Sequence, residues 1–219
     1  MQAVIFDMDG LLIDSEPMWK EAEQTVFSAV GVKVNKSLSA QTASMTTQEV
    51  TQFWYQHFPW TGKSLQQVEQ EVVDLVEKRI STQGIEMAGV TDTLRFFQDK
   101  GFKIGLSTNA PARLIPVVLH TLDIADYFHA TSSSEREIEG KPHPAVYLST
   151  IKKLNVDPAN CIAFEDSASG IMAAKAAGLK VVAVPAEMDF DHPKYDNSHL
   201  KIRSLADFNE CHLEKLLKP

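Results

Sequence analysis

Apolar and polar positions fall into two regimes along this chain. Ala3-Val4-Ile5-Phe6 is an unbroken apolar run with two β-branched members, which predicts a strand buried on both faces. It stops at Asp7-Met8-Asp9-Gly10. From there to about residue 83, apolar residues recur at helical spacing and nowhere with strand period. Ser15 is expected to cap a helix over 15–30 that stops at Gly31, with Trp19, Ala22, Val26 and Val30 as its buried stripe. A second helix is predicted over 47–57, ended by Pro59. A third is predicted over 64–81, with Val68, Val72, Leu75, Val76 and Ile80 along one face.

The pattern changes after Gly84. Helices predicted over 90–100, 112–122, 144–154 and 167–178 alternate with strands over 102–106, 127–131, 161–164 and 180–184. A short strand over 200–202 and a closing helix complete the chain. Strands alternating with helices at this spacing predict a parallel sheet covered on both faces. The expected fold class is therefore α/β, a Rossmann-like core formed by residues 1–14 and 84–219, with an inserted α-helical domain over 15–83.

A chain of 219 residues with 44% hydrophobic content can bury a substantial core. The net charge of −8 argues against a nucleic-acid surface but leaves room for a locally positive site. Two cysteines, Cys161 and Cys211, are too few for a disulfide framework and have no metal-ligand spacing. No apolar run approaches the roughly 20 residues needed to cross a bilayer, and no basic segment precedes the first short apolar stretch. These features predict a cytoplasmic monomer with no nucleic-acid or membrane partner.

Ligands of such sheets bind beyond the carboxyl ends of the strands. The first strand ends in Asp7 and Asp9, the second in Ser107, Thr108 and Asn109, and the fourth in Glu165 and Asp166. The loop before the 144–154 helix carries Lys141 between Gly140 and Pro142. Four carboxylates around one hard cation describe an Mg²⁺ site, because two acids at the end of a buried strand repel each other unless neutralised. A lysine and a hydroxyl-bearing turn beside that cation suit a phosphoryl group. The constellation points to phosphoryl transfer.

Asp7-Met8-Asp9-Gly10-Leu11-Leu12-Ile13-Asp14, Ser107-Thr108-Asn109, Gly140-Lys141-Pro142 and Glu165-Asp166-Ser167 resemble the four ordered motifs of the haloacid dehalogenase superfamily. The helical insertion stands where that superfamily places its cap domain. Asp14-Ser15-Glu16-Pro17 is similar to the bacterial hexitol and 2-deoxyglucose-6-phosphate phosphatases. The resemblance implies an Mg²⁺-dependent phosphatase of small phosphate monoesters, most of all sugar phosphates such as hexose 6-phosphates. It implies Asp7 as nucleophile and Asp9 as general acid and base. Metal would be held by Asp7, the Asp9 carbonyl and Asp166, with Glu165 direct or through water. Ser107, Lys141 and the turn at Thr108 and Asn109 would hold phosphoryl oxygens. Glu16, Trp19, Thr46 and Asn109 are the candidates for substrate choice.

The chain departs from the resemblance at Ser44-Met45-Thr46, where related sugar phosphatases carry a glycine and an arginine. Asp9 argues against a dehalogenase, because a halide leaves without a proton. The β-phosphoglucomutase branch carries a histidine where Trp19 stands and a Lys-Asn pair where Ala110-Pro111 stands, which disfavours a mutase. A phosphoglycolate-type phosphatase would share the same core motifs. A non-catalytic module on this fold would not need Asp7, Asp9, Lys141 and Asp166 together.

Overall fold

In the computed structural model, which describes residues 2–43 and 45–217, the chain builds a six-stranded parallel sheet. The strands are β1 (Ala3–Phe6), β2 (Lys103–Thr108), β3 (Ala130–Ser133), β4 (Cys161–Glu165), β5 (Lys180–Ala183) and β6 (Leu200–Lys201). Their order is β3-β2-β1-β4-β5-β6, which puts β1 in the middle. Connectivity reverses beside β1, which pairs with β2 on one side and β4 on the other. A crevice opens at the carboxyl ends of strands at such a switch point.

Period-two alternation divides the sheet residues between its two faces. Val4, Phe6, Ile104, Leu106, Ile162, Phe164 and Val182 join one apolar cluster, and Ala3, Ile5, Cys161, Ala163, Val181 and Ala183 join the other. The first cluster is covered by α5 (Val90–Asp99), α6 (Leu114–Thr121) and α9 (Glu210–Leu217). Its aromatic residues interlock, with Phe6 stacked on Phe164 at 5.0 Å. The second cluster is covered by α7 (Ala145–Leu154) and α8 (Ala168–Ala176).

The insertion between β1 and β2 contains α1 (Glu16–Ala29), α2 (Lys36–Thr42), α3 (Thr47–His57) and α4 (Leu65–Gln83). α3 and α4 each begin with a capping box, Thr46 with Glu49 and Ser64 with Gln67. Buried Val68, Val72, Val73, Val76 and Ile80 form the inner stripe of α4, with Leu75 partly buried beside them. The two chain crossings between insertion and sheet run side by side. Asp14 N donates to Ile85 O at 3.0 Å and Met87 N donates to Leu12 O at 3.0 Å. No described helix is long and apolar enough to cross a membrane.

Three local expectations change. α2 is an additional helix, started by Asn35, whose side chain accepts from Leu38 N; its polar sequence carries no apolar period to announce it. The third strand occupies Ala130–Ser133 rather than 127–131, because Ala125–Tyr127 forms a 3-10 turn before the sheet is reached. Ser15 does not cap α1. It has helical backbone angles, and its hydroxyl turns to Asp9 instead. Ser44, the first residue of the stretch without the expected arginine, lies outside the described residues.

Candidate active site

The site forms where the β1 and β4 ends meet. Asp7 N donates to Phe164 O at 3.0 Å, so Asp7 and Glu165 emerge side by side. The next residues fold into a tight turn in which Gly10 N donates to Ile13 O and Leu12 N to Met8 O. Gly10 has a φ of 73°, and a Cβ there would stand 2.3 Å from Asp166 Oδ2. Only glycine gives both the left-handed turn and the space for that carboxylate.

Lys141 connects the acids. Its ammonium donates to Asp7 Oδ1 at 2.5 Å and Glu165 Oε1 at 2.6 Å, and its side chain is 4% exposed. Burial alone would lower this lysine, but the Asp7 and Glu165 charges outweigh it and hold the ammonium above the ordinary lysine range. The Lys141 loop is fixed by Asn109, whose Oδ1 accepts from Lys141 N at 2.9 Å and from Ser134 Oγ at 2.6 Å. Glu165 is fully enclosed. Its Oε1 also accepts from Tyr147 OH, its Oε2 accepts from Ser167 Oγ at 3.2 Å, and a Cβ at Gly170 would overlap it. Burial pushes the Glu165 carboxyl up to about 7, against the pull of Lys141.

Asp9 takes the other side of the turn. Ser15 Oγ donates to its Oδ1 at 2.6 Å and Trp19 Nε1 to the same oxygen at 2.9 Å. Thr108 Oγ1 lies 3.5 Å from Oδ2. Desolvation raises the Asp9 carboxyl, partly opposed by the Ser15 hydrogen bond and reinforced by Asp7. Asp166 is raised well above the usual aspartate range by burial and by the charges of Asp7 and Glu165. Four carboxyl groups thus share one ammonium. Ligand oxygens of Asp7, Glu165 and Asp166 lie within 4.8 Å of one another. That donor set, short of positive charge and made of hard oxygens, fits a divalent cation such as Mg²⁺.

The haloacid dehalogenase-like hydrolase family model matches residues 1–178. The chain belongs to that family. This haloacid dehalogenase-like hydrolase is 36% identical over 206 residues to hexitol phosphatase B of Escherichia coli O157:H7, covering 94% of this chain and 93% of that protein. It is 33% identical over 180 residues to a phosphorylated carbohydrates phosphatase of Thermotoga maritima, covering 82% and 83%. In fold it matches a crystal structure of β-phosphoglucomutase from Clostridium difficile with a TM-score of 0.86, at 23% identity over 99% and 97% of the two chains.

Within this hydrolase, Asp7, Asp9, Lys141, Glu165 and Asp166 come together as the strand ends predict. Two expected phosphate contacts do not. Ser107 Oγ is fully buried and meets Thr150 Oγ1 at 2.8 Å beneath α7. β2 continues through Thr108, so alternation sends Ser107 to the α7 face and Thr108 to the Asp9 face. Of the two β2 hydroxyls, it is that of Thr108 that faces Asp9. Glu16 points to solvent and pairs with Lys20 at 2.8 Å. Asn109 fixes the Lys141 loop with its side chain. Thr46 overhangs the same loop, its Cγ2 2.7 Å from where a Gly140 Cβ would stand.

Sequence reasoning missed Tyr147 and Ser15 as partners of the acids. Tyr147 lies in the first two turns of the helix after Lys141, where its only signal was a polar aromatic among apolar residues. Ser15 carries the signal of a helix cap, and a serine hydroxyl serves either role.

Proposed function

We propose that this hydrolase is an Mg²⁺-dependent phosphatase that cleaves small phosphate monoesters, sugar phosphates above all, through an aspartyl-phosphate on Asp7. The observation that carries this reading is the pairing of two aspartates in contrasting surroundings. Asp7 accepts a hydrogen bond from the Lys141 ammonium at 2.5 Å, which orients its carboxylate at the end of β1. Asp9 is desolvated and pushed up, which favours a held proton. The named activities of the bacterial relatives, a hexitol phosphatase and a phosphatase of phosphorylated carbohydrates, support the substrate class.

In the first step the Asp7 carboxylate attacks phosphorus while Asp9 gives its proton to the departing alcohol oxygen. In the second, Asp9 takes a proton from water as that water attacks the aspartyl-phosphate, which releases phosphate and restores both aspartates. Lys141 spends two of its three N–H donors on Asp7 and Glu165, leaving one for a phosphoryl oxygen. Thr108 and the turn it begins face the same space. Asp7, Asp166 and the Asp9 carbonyl would hold Mg²⁺, with Glu165 direct or through water, and the bound ion supplies charge neutralisation at the transferring group. Residues 15–83 serve as a cap that covers the substrate and excludes water.

Trp19 links that cap to the acid. Trp19→Phe keeps the ring but removes the donor to Asp9, so kcat should fall on the order of tenfold with KM little changed. Steady-state kinetics check this, and a raised KM with wild-type kcat would make Trp19 a substrate contact instead. A mutase would need to retain and return phosphate rather than lose it to water. Phosphorus NMR of a reaction with β-glucose 1-phosphate should show inorganic phosphate accumulating; glucose 6-phosphate as the main product would reverse the assignment.

A further inference from the structure

Glu23 is an inward-facing carboxylate that the catalytic steps leave unused. It stands on α1 four residues after Trp19, so the two side chains share a face one helical turn apart. That face is fixed by the Trp19 indole, which reaches Asp9 and so looks toward the strand ends. The neighbouring residues on the same arc, Val26 and Phe27, are buried, whereas Glu23 keeps partial access to solvent. Glu23 thus lies half-buried on the arc that Trp19 directs toward Asp9. Among the described residues no hydrogen bond or ion pair satisfies it, and Lys20, Arg79 and Lys141 are taken by Glu16, Glu21 and the active-site acids. Desolvation pushes its carboxyl up to about 7.

A half-buried carboxylate with no partner among the described residues is open to a ligand. It is the kind of group that a hydroxyl-rich ligand satisfies, because one carboxylate can accept from two neighbouring hydroxyls. We infer that Glu23 selects the substrate by hydrogen bonding the hydroxyls of the alcohol portion, beyond the phosphate held at Lys141. The substrate class is thereby narrowed to polyhydroxylated monoesters, phosphorylated sugars and polyols. The inference rests on the phosphatase reading above. It also supplies a polar specificity contact in a cap that lacks an arginine at Met45-Thr46.

The test compares wild type, Glu23→Gln and Glu23→Leu with two probes, sorbitol 6-phosphate and p-nitrophenyl phosphate, which has no hydroxyls. The ratio of kcat/KM for the first probe to that for the second should fall on the order of 10- to 100-fold in Glu23→Leu and less in Glu23→Gln, which keeps an acceptor. Thermal unfolding of both variants, measured alongside, verifies that they are folded. An unchanged ratio in both variants would overturn the role of Glu23. Failure of the wild type on both probes would instead overturn the phosphatase reading on which it rests.

Discussion

Asp7→Asn is expected to abolish turnover while leaving the fold in place. The change keeps the shape of the side chain and the backbone bond to Phe164 O, but it removes the nucleophilic carboxylate. Loss of a group that forms the covalent intermediate costs on the order of 10⁴-fold or more in kcat. Lys141 keeps its second partner, Glu165, at 2.6 Å, so the buried ammonium is not orphaned. Phosphate release and circular dichroism measured on the same preparation separate the two effects. Native circular dichroism with kcat within tenfold of wild type would remove Asp7 from the chemistry.

Lys141→Ala should be damaging twice over. Among the described residues the ammonium is the one cation beside Asp7, Asp9, Glu165 and Asp166, and Glu165 is wholly buried. Removing one partner of a buried ion pair costs about 3–5 kcal/mol. For a chain of this size that is a fall in Tm of roughly 6–20 °C. A lysine held above its ordinary range contributes stability that is complete below the unfolded value of about 10.4. The loss should therefore be seen throughout the neutral range. Activity should drop on the order of 10²- to 10³-fold, as for deletion of one donor to a developing oxyanion. Added Mg²⁺ should recover part of the lost Tm, because a divalent cation can neutralise the same carboxylates. Melting curves with chelator and with Mg²⁺ check both statements; an unchanged Tm in chelator would show that the acids do not depend on Lys141.

The positions of Asp7, Asp9, Lys141, Glu165 and Asp166 were legible because each follows a strand or precedes a helix whose apolar pattern is strong. The sheet rule then assembles them at one edge without knowledge of distances. Ser107 was not legible for a reason of the same kind. β2 runs to Thr108, and a one-residue difference in where a strand ends sends the hydroxyl to the opposite face. Glu16 and Trp19 show the helical version: three residues apart, one pairs with Lys20 in solvent while the other reaches Asp9. The bond from Tyr147 to Glu165 joins residues 18 apart on a helix and a strand, and no local period encodes which buried hydroxyl meets which strand end. α2 stayed hidden because its seven residues bury only Thr42.

In the proposed reading, substrate choice falls to the cap, where the chain departs most from the motifs. Thr46 overhangs Gly140, Trp19 reaches the acid, and Glu23 lies one turn beyond. In the same reading the chemistry falls to the strand ends, where a divalent cation would add positive charge beyond Lys141 to the four carboxyl groups. Phosphate release from a panel of sugar phosphates, measured once with Mg²⁺ and once with EDTA, tests that central claim. The account predicts release from at least one hexose or hexitol phosphate with Mg²⁺ and none above background with EDTA. Release that is undiminished by EDTA, or absent from every member with Mg²⁺ present, would contradict it.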